Sequence, residues 1–141
     1  MPNKTILVIE GDKGQRQLFG TFLSEYTKSF RIVINMAEDV SKAKTIYLKK
    51  AGNIIAIAFD GCMLQESSVK KTCSVLSWID EISNHFNGQI FALYCFDFLD
   101  CKRKLADEIN KKGIDINKIT VCKKENLPNI IAEKLSCELA T

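Results

Sequence analysis

Five short runs of apolar residues recur along the chain, and each is followed by a segment with helical spacing of its apolar positions. The runs are Thr5 to Ile9, Arg31 to Ile34, Ile54 to Phe59, Ile90 to Cys95 and Ile119 to Cys122. Continuous apolar runs of this length, bounded by turn residues, are typical of strands that are covered on both faces of a sheet. The pattern therefore predicts a strand followed by a helix, repeated along the whole chain.

This alternation predicts an α/β protein with a doubly wound parallel sheet, right-handed crossovers and helices on both faces. We expect a single domain over residues 1–141. In such sheets, ligands bind outside the carboxyl ends of the strands, near the point where the strand order reverses. The residues that follow the five strands are therefore the first place to look for chemistry.

Local capping signals predict where the helices begin and end. Asp12 with Gln15 forms a capping box for the first helix, and Asn35 with Glu38 gives a similar signal for the second. Gly52, just beyond the second helix, is expected to adopt the left-handed conformation that ends many helices.

Composition narrows the class of protein. The hydrophobic share of 46%, the charged share of 26% and the net charge of +3 are ordinary for a globular protein. The sequence shows no apolar run long enough to span a membrane and no signal-peptide pattern, so we expect a cytoplasmic protein without a membrane partner. Its lysines are scattered in pairs rather than gathered in one stripe, so we expect no nucleic-acid partner.

Six cysteines and one histidine, His85, do not have metal-ligand spacing, because the sequence contains no Cys-x-x-Cys pair. We expect reduced cysteines, with Cys95 and Cys122 packed as small apolar residues. A cysteine-dependent redox module, acting through Cys62 or Cys95, stays open as an alternative.

Charged residues follow three of the predicted strands. Glu10 and Asp12 come after the first, Asp60 after the third and Lys123 after the fifth. Crowded carboxylates need a nearby cation, which could be a lysine or a hard divalent metal such as magnesium. Such a site suits a phosphoryl group, and Asp60 could be the nucleophile that forms an acyl phosphate. Alternatively, these residues serve only as helix caps, a loop cap and a solvated lysine.

In this order, the residues resemble the receiver domain of two-component response regulators, over residues 4 to 139. The resemblance implies a flavodoxin-like fold with strand order 2-1-3-4-5, Asp60 as the phosphoacceptor and Lys123 in contact with the phosphoryl group. It also implies magnesium held by Glu10 and the Cys62 backbone carbonyl, with Asp12 standing in for the second acid of the family's acidic pair.

The chain departs from the family pattern at several positions. Gly11 replaces that second acid, Tyr94 or Cys95 falls where the family has a hydroxyl, and Thr120 falls at the aromatic switch position. Two hypotheses follow. In the first, a non-enzymatic response regulator receives a phosphoryl group from a sensor histidine kinase or a phosphotransfer protein and then binds an unidentified downstream protein, with homodimerisation left open. In the second, a pseudo-receiver serves as a docking module without phosphorylation.

Overall fold

The computed structural model describes residues 4–62, 66–94 and 99–135, without the side chains of residues 25–27 and 99. The strands in these ranges are β1 (Lys4–Ile9), β2 (Ile32–Ala37), β3 (Ile54–Asp60), β4 (Gln89–Tyr94) and β5 (Ile119–Lys123). The α-helices are α1 (Lys13–Phe30), α2 (Val40–Lys50), α3 (Glu66–Ile82), α4 (Leu99–Lys111) and α5 (Leu127–Lys134).

The strands form one parallel sheet in the order β2-β1-β3-β4-β5. This confirms the predicted fold class and strand order. The chain moves from β1 outward to β2 and then crosses back to β3, so the strand order reverses between β1 and β3. The carboxyl ends of these two strands therefore flank the position where such sheets bind ligands.

Two core layers cover the sheet, one on each face. Successive strand residues alternate between them: Ile6 and Val8 belong to the layer with α1 and α5, whereas Leu7 and Ile9 belong to the layer with α2, α3 and α4. All four side chains are buried. This alternation decides which helices surround a side chain at the end of a strand.

The predicted cap of α1 is confirmed, and that of α2 is wrong. Asp12 Oδ1 accepts a hydrogen bond from Gln15 N at 2.8 Å. The N-cap of α2 is Asp39 rather than Asn35. The reason is that β2 extends to Ala37, so that Asn35 lies within the strand.

The expected left-handed cap at Gly52 is also wrong. Ala51–Asn53 form a short 3-10 turn that leads directly into β3. Among the described residues, the glycine with a positive φ is Gly113, at 74°, which follows α4.

Four cysteines lie within the described part of the chain and all are free thiols: Cys62, Cys73, Cys101 and Cys122. Cys122 is buried in the core as predicted, and burial raises the pKa of its thiol to about 11. Such a thiol is protonated at neutral pH and is a poor nucleophile. Cys95 lies outside the described residues. Among the described helices, none is long and apolar enough to cross a membrane.

Candidate functional site

Three charged side chains meet at the carboxyl edge of the sheet. Glu10 follows β1, Asp60 ends β3 and Lys124 follows β5. Lys124 Nζ lies 2.7 Å from Glu10 Oε1 and 3.3 Å from Asp60 Oδ1. The side chains are 2% exposed for Glu10, 11% for Lys124 and 29% for Asp60. One ammonium therefore links a buried carboxylate to one that solvent reaches.

Strand alternation brings these three side chains to the same face. Each lies two residues beyond a residue of the core layer under α1 and α5, and those residues are Val8, Ala58 and Cys122. Side chains two positions apart in a strand share a face, so Asp60 continues this layer. Glu10 and Lys124 are the first residues after β1 and β5, and their contacts place them on the same side.

The lysine in contact with Asp60 is Lys124, the residue after Lys123, for which the sequence predicted contact with the phosphoryl group. β5 runs to Lys123, one residue further than its apolar run, so Lys123 still belongs to the strand. It lies two residues after Val121, which packs on the opposite core layer. Its Nζ lies 4.0 Å from Glu125 Oε1. Asp60 is thus contacted by the residue after the strand, and the contact of Lys123 with a phosphoryl group stays a prediction.

The pKa of the Glu10 carboxyl is raised above its ordinary value. Burial is the main cause and the neighbouring charge of Asp60 adds to it, whereas the hydrogen bond and charge of Lys124 act in the opposite direction. The backbone of Glu10 is also tied down, because its carbonyl accepts from Arg16 Nη1 at 2.8 Å and its N–H donates to the Ala37 carbonyl at 2.9 Å. Glu10 is thus held rigidly, in a setting where its negative charge is costly.

Asp60 is held by the turn that follows it. Its Oδ1 accepts from Cys62 N at 3.2 Å, and Gly61 N donates to the Leu93 carbonyl at 2.6 Å. A Cβ on Gly61 would lie 2.6 Å from Leu105 Cδ2, so any larger residue at this position would force Leu105 on α4 to shift. Oδ1 thus receives both the Lys124 ammonium and a backbone N–H.

The side chains predicted to hold magnesium make hydrogen bonds to other groups of the protein. Glu10 bonds to Lys124, and Asp12 is exposed and caps α1 through its Oδ1. Magnesium takes about six oxygen ligands, of which several are usually waters and one or two are carboxylates. Within the described ranges, no group of three or more histidine, cysteine, aspartate or glutamate residues is arranged to hold a metal.

The predicted backbone ligand is engaged as well. The Cys62 carbonyl accepts a hydrogen bond from Thr72 Oγ1 at 3.0 Å, and Thr72 is 1% exposed. Gly11 has no side chain to offer a cation. These donors do not fit a magnesium site, and the cation that the geometry provides for the two carboxylates is Lys124.

A cleft of about 260 Å³ opens beside Asp60, between β1, β3 and α3, and Gly11 and Lys71 line it. A Cβ on Gly11 would lie 3.8 Å from Lys71 Nζ and 3.5 Å from the Glu38 carbonyl oxygen. The Lys71 ammonium therefore lies next to the position of the missing acid. Sequence reasoning missed Lys71, because a lysine within a helix carries no local signal of what it approaches.

The two other departures concern β4 and β5. Tyr94 is half-buried and pairs in register with Lys123, and Cys95 lies outside the described residues. Thr120 lies three residues before Lys123. With Lys124 as the lysine of the site, the same spacing falls on Val121, which is also not aromatic.

No family model and no curated protein matches this chain. Solved structures do match it. The signal receiver domain of a DNA-binding response regulator (merR) from Colwellia psychrerythraea 34H is 17% identical, with a TM-score of 0.65 over 95% of this chain and 99% of that one. The receiver domain of Saccharomyces cerevisiae Ssk1, co-crystallised with the histidine phosphotransfer signalling protein Ypd1, is 17% identical, with a TM-score of 0.62 over 98% of this chain and 92% of that one.

A third match is the Mn²⁺-bound form of the response regulator Rcp1. It is 15% identical, with a TM-score of 0.57 over 98% of this chain and 96% of that one. All three matches cover nearly the whole of both chains, and their sequence identity is low. The protein therefore has the fold of a response regulator receiver domain.

Proposed function

We propose that this protein is a signalling domain that accepts a phosphoryl group on Asp60 and acts through protein contacts. The observation that carries the proposal is the 3.3 Å contact between Lys124 Nζ and Asp60 Oδ1. The side chain of Asp60 is 29% exposed, so a phosphoryl donor can reach it. Charged groups that converge at the switch point of a parallel sheet, here with the raised pKa of Glu10 among them, are typical of functional sites.

The proposed donor is a phosphohistidine on a partner protein. An oxygen of Asp60 forms a bond to phosphorus, the bond between phosphorus and the imidazole nitrogen breaks, and its electron pair returns to the imidazole. Because Oδ1 is held by Lys124 and the Cys62 N–H, Oδ2 is the attacking oxygen. Lys124 stabilises the negative charge on the transferring group.

The kind of partner is supported by the Ssk1 receiver domain, which was co-crystallised with a histidine phosphotransfer protein. The phosphoryl group carries about −1.5 to −2 charge in place of the single charge of the Asp60 carboxylate, which would change the affinity of that face for a downstream protein.

A docking module that is not phosphorylated is the second candidate. The observation that favours it is that the predicted magnesium donors are engaged by Lys124, Thr72 and the start of α1. In this case Lys124 only neutralises the two carboxylates. Partner affinity would then not depend on a phosphoryl group.

The test uses acetyl phosphate as the donor, in magnesium buffer and in EDTA, with intact mass as the readout. We expect one added phosphoryl group in the wild type in at least one buffer, and none in Asp60→Asn. Lys124→Gln should lower the rate by at least about tenfold, because it removes the charge that stabilises the transferring group. Lys123→Gln is the matched control and should leave the rate unchanged.

Circular dichroism of each variant confirms that it is folded. A wild-type chain that stays unmodified in both buffers, and that binds its partner as tightly as Asp60→Asn does, would establish the docking module instead.

A further inference from the structure

We infer that Lys71 supplies the positive charge that a divalent cation would otherwise provide, so that Asp60 takes up a phosphoryl group without a metal. The inference rests on the proposed function of Asp60. It names the second cation of that site, a lysine on α3.

The first support is the position of Lys71. It lines the same cleft as Asp60 and Gly11, and its Nζ would lie 3.8 Å from a Cβ at position 11. An acid at position 11 would thus have the ammonium beside it. With glycine there, no side chain at position 11 fills the cleft that Asp60 and Lys71 both line, and a group attached to Asp60 can enter it.

The second support is the charge balance. Lys124 is shared between two carboxylates, those of Glu10 and Asp60. Phosphorylation replaces the single negative charge of the Asp60 carboxylate by the about −1.5 to −2 of a phosphoryl group, and one ammonium shared with Glu10 does not neutralise it. Lys71 is a cationic side chain on the cleft, and its four-carbon stem lets the ammonium reach a new anion.

The other polar residues that line the cleft carry no positive charge: they are Glu38, Asp39 and Ser74, and Ser74 Oγ donates to the Lys70 carbonyl at 3.1 Å. Asp39 Oδ1 caps α2 by accepting from Lys42 N at 2.8 Å, and Glu38 presents its carbonyl oxygen to Gly11. Both residues are acidic, like the phosphoryl group itself. Neither could neutralise that group.

The neighbouring lysine on the same helix provides a matched control. Lys70 is exposed and its Nζ lies 3.9 Å from Glu66 Oε1, one turn away on α3. It does not line the cleft. Removal of either lysine changes the net charge equally, so any difference between the two variants reports on the position of the charge.

The test follows transfer from acetyl phosphate in EDTA, by intact mass. Asp60 forms a bond to phosphorus while the bond to the acetate oxygen breaks, and acetate leaves with the electron pair. We expect the adduct in EDTA for the wild type and for Lys70→Gln at similar rates. In Lys71→Gln the rate should fall at least tenfold, and Lys71→Arg, which keeps the charge, should recover most of it.

Three results would overturn the inference. An adduct that forms in magnesium buffer but not in EDTA would overturn the role of Lys71 and leave the proposed function of Asp60 standing. Equal rates for Lys71→Gln and Lys70→Gln in EDTA would do the same. No adduct in either buffer would overturn the proposed function, and the inference with it.

Discussion

At the scale of single residues, Glu10 carries a charge that the fold makes costly. It is 2% exposed, and its closest cation, Lys124, is shared with Asp60. Burial and the charge of Asp60 together raise the pKa of Glu10. The folded state therefore favours protonated Glu10 relative to the unfolded chain, and the stability that this carboxyl contributes depends on pH.

The direction of this dependence can be predicted. With a raised pKa in the folded state, the contribution of Glu10 is fully present below its unfolded pKa of about 4.3 and is lost as pH rises through the folded value. Glu10→Gln keeps a neutral group at all pH values. We therefore expect the free energy of unfolding of Glu10→Gln, relative to the wild type, to increase from pH 4 to pH 8 in urea titrations.

Glu81→Gln is the control for this experiment, because Glu81 is exposed on α3. A relative stability of Glu10→Gln that falls with rising pH would mean that the bond to Lys124 outweighs burial, contrary to the prediction.

At the scale of elements, the turn between β3 and α3 is set by a close approach to α4. A Cβ on Gly61 would lie 2.6 Å and 2.9 Å from the two methyl carbons of Leu105 and 3.1 Å from the Leu93 carbonyl oxygen. Leu105 is fully buried and cannot move without repacking the core. The position of Asp60, one residue before this turn, depends on that packing.

We expect Gly61→Ala to lower the free energy of unfolding by about 1–3 kcal/mol, because it overpacks the contact with Leu105.

Gly20 provides the opposite case, since it lies within α1 and a Cβ there would meet nothing within 4 Å. Gly20→Ala should raise the free energy of unfolding by about 0.5–1 kcal/mol through helix propensity. Urea unfolding measures the free energy of unfolding of both variants. An unchanged value for Gly61→Ala would mean that Leu105 on α4 moves to make room for the methyl group, contrary to the prediction.

At the scale of the whole molecule, the site should make the protein indifferent to magnesium. A ligand that binds only the folded state stabilises it by RT ln(1 + [L]/Kd), which is about 1.4 kcal/mol at ten times the Kd. The wild type has Gly11 where the family has the second acid of its acidic pair. We therefore expect its unfolding temperature in millimolar magnesium to equal that in sodium chloride of the same ionic strength.

Gly11→Asp is the gain-of-function variant for this experiment. A Cβ at position 11 would meet its neighbours only at 3.5 Å and 3.8 Å, which are ordinary contact distances, so the substitution fits. It adds a second carboxylate to the cleft that Asp60 lines, and should make the unfolding temperature rise with magnesium. A wild-type chain that is stabilised by magnesium as strongly as this variant would contradict the prediction.

Much of this architecture could be predicted from local patterns. Apolar runs predicted every strand to within a few residues, because burial on both faces of a parallel sheet demands continuous apolar residues. The cap at Asp12 was predictable because a capping box is a local arrangement. The cap of α2 was not, because the end of β2 is decided by its pairing with β1 up to Ala37.

By itself, the sequence determined the order of strands and helices and the positions of Glu10 and Asp60 at one edge of the sheet. Tertiary structure alone decided that the lysine is Lys124, which lies 114 residues from Glu10 along the chain. The apolar run ends at Cys122, but pairing with Tyr94 extends β5 to Lys123 and thereby moves the next side chain onto the acidic face. The approach of Lys71 to Gly11 was likewise decided by the packing of α3 on the sheet, since contacts between distant segments leave no periodic trace in the sequence.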